Sequence, residues 1–229
     1  MAARQPAART DLLLSTAALA LLVCWEASGW DLRLIRVYGD AGGFAWRDHW
    51  LAAALLHDGG RWLAGACLTL LAWDAFRPAG TGPSCAERRY WLAIVIASLV
   101  LIPSLKRFTT TSCPWDLIEF GGRAAYVPHW LPGVRDGGPG HCFPAGHPVS
   151  AFAFFGAYFL WRPYRARLAY GVLGATVLLG TLFTWTQVAR GAHFASHGLW
   201  SAWLCWTLSA AAQRLSPLKE RSRLSSPGP

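Results

Sequence analysis

The stretch Arg190-Gly191-Ala192-His193-Phe194-Ala195-Ser196-His197 closes one long apolar run and opens the next. Read as helix, Gln187, Arg190, His193 and His197 recur at spacings of three and four and share one face. That face carries one fixed positive charge and two imidazoles at the mouth of an apolar bundle, a set suited to capturing an anion and acting on it. The competing reading is a helix end whose polar groups meet lipid headgroups. Two further segments carry similar residues: Lys106-Arg107-Phe108-Thr109-Thr110-Thr111-Ser112-Cys113-Pro114-Trp115-Asp116, and His141-Cys142-Phe143-Pro144-Ala145-Gly146-His147.

The elements that would position these segments are hydrophobic. Of the 229 residues, 54% are hydrophobic and 14% charged, with mean hydropathy +0.28. A soluble domain carries roughly 25% charge, so the composition indicates a membrane protein. Fourteen tryptophans agree with this: Trp25, Trp30, Trp73, Trp91, Trp161, Trp185 and Trp200 fall near the ends of apolar runs, where an interfacial belt would lie. The net charge of +9 does not indicate a nucleic-acid partner. The basic residues are spread over short connections, and no basic stretch has interleaved aromatics.

The expected fold is all-α, a polytopic six-helix transmembrane bundle with spans at about 12–30, 62–76, 91–105, 149–161, 168–188 and 197–212. For the first run, Ala27-Ser28-Gly29 leaves a cleaved signal peptide as the alternative. Residues 44–56 read as an interfacial amphipathic helix, and Asp58-Gly59-Gly60 as a turn. With both termini inside, most of the 21 Lys and Arg fall on the cytoplasmic side, and Lys106 and Arg190 stand among the exceptions. The three polar segments then emerge together on the exported face. Residues 1–213 form a single domain, and 214–229 read as a basic, disordered cytoplasmic tail.

These segments resemble the type 2 phosphatidic acid phosphatase superfamily. Its pattern is Lys, six residues, Arg-Pro; then Pro-Ser-Gly-His; then Ser-Arg, five residues, His, three residues, Asp. Here Lys106 precedes Cys113-Pro114 at the same gap, Pro144-Ala145-Gly146-His147 matches the second part with Ala for Ser, and His193 matches the third. Cys113 and Gln187 replace the two arginines of that pattern, and His197 replaces the aspartate. Arg190, one turn after Gln187, and Arg107, Arg123 or Arg135 from the loop are available to compensate.

The resemblance implies a metal-independent phosphatase, without cofactor, acting on a membrane lipid phosphate or diphosphate at the exported face of the inner (plasma) membrane. It makes His193 the nucleophile that forms a phosphohistidine, and His147 the general acid. Lys106, Arg190, Arg107 and backbone N–H groups near Gly146 would hold the phosphoryl oxygens. His197 would orient His193 in place of the aspartate, with Asp116 and Glu119 as carboxylates that could reach in from the loop.

Three alternatives accompany this reading: a phosphotransferase of the same fold, an inactive relative serving as a membrane binding protein, and a metal- or haem-binding protein. The last rests on the four-residue spacing of His193 and His197, but no Glu follows His193 as in the His-Glu-x-x-His zinc proteases. Of the six cysteines, Cys113 and Cys142 both lie on the exported side beside a motif, Cys113 being followed by Pro114, so a disulfide between them is expected in an oxidising compartment. It would close a loop of about 30 residues.

Overall fold

The computed structural model describes residues 4–78, 80–131 and 133–216, with side chains from residue 9 onward. It is a helical bundle: α1 (Arg4–Ala27), α2 (Trp30–Ile35), α3 (Gly59–Phe76), α4 (Cys85–Lys106), α5 (Val149–Phe152), α6 (Phe155–Trp161), α7 (Ala166–Ala189) and α8 (Ala195–Leu215). Among the described residues, three helical stretches are long and apolar enough to cross a membrane, Arg9–Ala27, Cys85–Lys106 and Ala166–Ala189. The apolar stretch Val149–Trp161 is shorter and is interrupted between α5 and α6. Leu13, Leu21, Leu70, Val100 and Leu178 point out of the bundle. Apolar side chains outside a packed core are what a hydrocarbon surround requires.

One end of the bundle is tied by two acid–base pairs. Arg162 makes a bidentate pair with Asp11 at 2.8 and 2.7 Å, joining the end of α6 to α1. Arg88, fully buried, pairs with Asp74 and donates to the Pro83 carbonyl, joining α4 to α3. α4 starts from a capping box, in which Ser84 and Glu87 satisfy each other's backbone N–H groups. Trp91, expected at the interface, is instead buried and stacked on Phe159 at 5.6 Å. Trp30 and Trp73 are exposed, as a belt requires.

The opposite end carries a cap. A short hairpin, β1 (Gly39–Asp40) with β2 (Gly43–Phe44), brings Phe44 against Phe120, and Ile35, Leu117, Val188 and Phe194 complete that cluster. The long 108–142 loop folds around buried Asp136, whose carboxylate accepts from the Ser112 N–H (2.6 Å), the Ser112 hydroxyl (2.9 Å) and the Gly138 N–H (2.9 Å).

Residues 44–60 differ from the sequence expectation. Phe44 lies in the hairpin, and the chain from Trp50 runs as one helix, π-helical over Leu51–Asp58, directly into α3. Asp58-Gly59-Gly60 is therefore helical and not a turn. Gly60 serves close approach: a Cβ there would lie 2.7 Å from Phe183 Cζ and 3.2 Å from His147 Cε1. The tail expected from residue 214 lies outside the described residues beyond 216.

Candidate functional site

The third segment is not a continuous helix. α7 ends in a Schellman motif: the Gly191 N–H bonds to Val188 O and the Ala192 N–H to Gln187 O, both at 2.9 Å. Gly191 sits at φ 71°, and a Cβ at that position would run into the Phe44 ring. The chain reverses over Arg190–Phe194, and α8 restarts at Ala195. His193 is thus carried by the turn and His197 by the first turn of α8. Asp31 from α2 caps that helix, accepting from the Ser196 N–H at 3.0 Å, where a carboxylate also complements the helix dipole.

The three polar segments are bonded to one another. His141 N–H donates to Thr109 O and Cys142 N–H to Thr111 O, pairing the first segment with the second. The Trp115 N–H donates to Gly191 O, and the Ala145 N–H to His197 O, which bring in the third. Ser201 Oγ adds a bond to Ala145 O at 2.7 Å. Cys113 and Cys142 form the disulfide, with Cα atoms 5.1 Å apart and a separation of 29 positions in sequence. Pro114, buried, opens the short 3₁₀ turn that follows Cys113. The covalent link and the backbone bonds together fix Lys106, at the end of α4, relative to His147.

His147, His193 and His197 are all buried. His193 Nδ1 is 3.3 Å from Cys142 Sγ and 3.5 Å from His197 Nδ1. His197 Nδ1 also lies 3.0 Å from Cys142 O, so its proton is given to that carbonyl. Burial, and after it the Lys106 charge, pushes the His193 imidazole well below its ordinary value. His193 is therefore neutral at physiological pH, with a lone pair available for attack.

His147 packs on Phe183 (ring centroids 4.8 Å) and on His57 (4.4 Å), and its ring nitrogens make no well-formed hydrogen bond among the described residues, with the Leu56 backbone as a weak acceptor. Burial first, then the His57, Arg190 and Arg61 charges, pushes it down to about 3. Arg190 donates from Nε to Arg47 O at 2.9 Å, and Asp48 and Asp58 lie in its field. Burial lowers its affinity for a proton, but a guanidinium keeps its charge. Gly146 has open space where a Cβ would be, which leaves its backbone accessible. Arg107 is exposed just beyond α4.

Of the loop carboxylates considered as stand-ins for the aspartate, Glu119 pairs with Arg36 at 2.5 Å on the surface. The Asp116 backbone carbonyl anchors Arg123 and Ala124. The buried acids on this side come from elsewhere: Asp31, and Glu26 at the end of α1. Glu26 accepts from Trp200 Nε1 at 2.7 Å and lies 3.2 Å from His129 Nε2. His129 stacks on Phe143 at 3.7 Å and stands edge-on to His197 at 5.9 Å. Burial holds His129 down to about 4. Glu26, Asp31, His57 and His129 were not singled out from sequence, because each reaches the site across a large chain separation. The Gly59-Gly60 pair was the one local signal of a close approach beside His57.

Among the described residues, the one His/Cys/acidic group tight enough for a metal is Cys113, Cys142 and His193. Its two sulfurs are joined in the disulfide, so it offers a single nitrogen. Below His147, a groove of about 400 Å³ runs between α3, α5–α6 and α7. Gly60 and Phe183 form its end beside His147, and Leu63, Cys67, Phe154 and Leu179 line its length.

No curated protein and no solved structure matches the chain. The sequence pattern of the PAP2 superfamily, a family of phosphatases and phosphotransferases, matches residues 88–221 and so takes in all three bonded segments. By that match this helical, membrane-type chain belongs to the PAP2 superfamily.

Proposed function

We propose that the protein is a membrane-embedded, metal-independent phosphatase that hydrolyses a lipid phosphate or diphosphate. The observation that carries the lipid assignment is the apolar groove, whose end at Gly60 and Phe183 abuts His147. A phosphate at the histidines would leave its acyl chain continuous with that groove. Lys106, Arg190, Arg107 and the Gly146 backbone hold the phosphoryl oxygens and offset the charge that develops on them. His193, neutral and with Nδ1 turned to Cys142 Sγ and His197, attacks phosphorus through Nε2 and forms a phosphohistidine. His147 acts on the leaving oxygen. A bound phosphate dianion opposes the Arg61 and Arg190 charges that depress His147, and so favours its protonated form.

The bundle spans the inner (plasma) membrane six times, and its capped end, with the site, faces the exported, periplasmic side. The disulfide suits that side, because thiols in the cytosol are kept reduced. The test is phosphate release by purified protein across a panel of lipid mono- and diphosphates, with chelator present. Release from lipid substrates, lost in His193→Ala, is the expected result. Release from none of them, or chelator-sensitive release, contradicts the reading.

A further inference from the structure

We propose that His57, held by Asp58, is a second proton donor to the leaving oxygen, an inference that rests on the phosphatase reading. His57 comes from outside the three motif segments, yet its ring lies 4.4 Å from that of His147, at the same mouth of the bundle. Its Nδ1 is 2.9 Å from Asp58 Oδ1, leaving Nε2 outside that bond. The side chain is 29% exposed, intermediate between the buried histidines and the surface. It belongs to the eight-residue π-helical stretch Leu51–Asp58, and π-helical turns are rare and concentrate at functional sites.

The arrangement divides the work between two imidazoles. His147 has only the Leu56 backbone as a weak acceptor to steady a positive charge, whereas His57 has a carboxylate on Nδ1, the pairing that stabilises an imidazolium. Around His57 stand Asp58, which bonds to it, and the His147 ring, and the Arg61 and Arg190 charges act on both of these neighbours.

In the first half-reaction the His193 Nε2–phosphorus bond forms and the bond from phosphorus to the leaving oxygen breaks. On the route through His57, that oxygen takes its proton from His57 Nε2 in place of His147. In the second, water attacks phosphorus, its proton passes to the now neutral His57, and the His193–phosphorus bond breaks. His57 ends charged, as it began, and Asp58 stays ionised throughout.

The experiment compares wild type, His57→Gln and Asp58→Asn on a lipid monophosphate, whose alkoxide leaves poorly, and on an aryl phosphate, which leaves without help. His57→Gln is expected to lower kcat/KM on the lipid by about 10–10²-fold and on the aryl phosphate by less than about threefold. Asp58→Asn removes the carboxylate that favours the charged imidazole, so the alkaline limb of the lipid pH profile moves to lower pH. Thermal melts confirm that each variant is folded, and Asp58→Asn, on an exposed side chain, still tests the idea if His57→Gln does not fold. Equal losses on both substrates, no loss on either, or an unmoved alkaline limb overturns the role of His57 while leaving the phosphatase standing. A wild type that releases phosphate from neither substrate overturns both.

Discussion

The Cys142 sulfur lies 3.3 Å from Nδ1 of His193, so the disulfide that ties the first two motif segments together also touches the proposed nucleophile. The family's aspartate position holds His197, which spends its Nδ1 proton on Cys142 O. The second neighbours of His193 are thus a sulfur and an imidazole rather than a carboxylate.

Breaking the disulfide should therefore cost both stability and rate. In the chain-entropy account, a loop of this size contributes about 3–4 kcal/mol. Cys113→Ser is expected to lower the melting temperature and to reduce turnover, since Cys142 is then free to shift against His193. Mass spectrometry under non-reducing conditions is the direct check, and two free thiols in protein taken from its native membrane would contradict the pairing.

Gly60→Ala is expected to disturb the site while the bundle still folds. The added methyl would meet Phe183 and His147, and overpacking of this kind costs about 1–3 kcal/mol. Turnover measured beside a thermal melt separates the two effects: a drop in rate larger than the loss of folded protein shows displacement of His147.

Acid should destabilise the fold. The imidazoles of His147 and His129 are held at about 3 and about 4, below their unfolded value of 6.5. From pH 6.5 down toward those values the unfolded chain takes up protons that the folded chain refuses, so stability falls as pH falls across that window. Melts between pH 7 and pH 4 should show the decline, and His129→Phe should flatten it; equal slopes in variant and wild type would contradict the assignment.

Topology is tested by cysteines placed in a background without Cys24, Cys67, Cys85 and Cys205. A cysteine replacing Val134, in the capped loop, should react with an impermeant reagent from outside intact cells. One replacing Thr81, between α3 and α4, should react only after the cells are opened. The reverse pattern would invert the bundle.

The parts of the site legible in sequence were those with local signals. Lys106, His147 and His193 stood in short motifs, and Cys113 with Cys142 stood beside two of them, so their convergence followed from span counting. Glycine was harder to read. Gly191 does end a helix with positive φ, but Gly59-Gly60 lies within one, because the same residue that permits a turn also permits close packing. Carboxylate partners were not legible at all. Asp31 reaches Ser196 and Glu26 reaches Trp200 across more than 160 residues, through packing that leaves no periodicity to count.

The central claim is covalent catalysis by His193, and the most direct measurement is acid-free rapid quench of the purified protein with a ³²P-labelled lipid phosphate, followed by peptide mapping. The account predicts a base-stable, acid-labile label on His193 that chases with water, and no label and no turnover in His193→Ala. A His193→Ala protein that hydrolyses the lipid at near wild-type rate would contradict it.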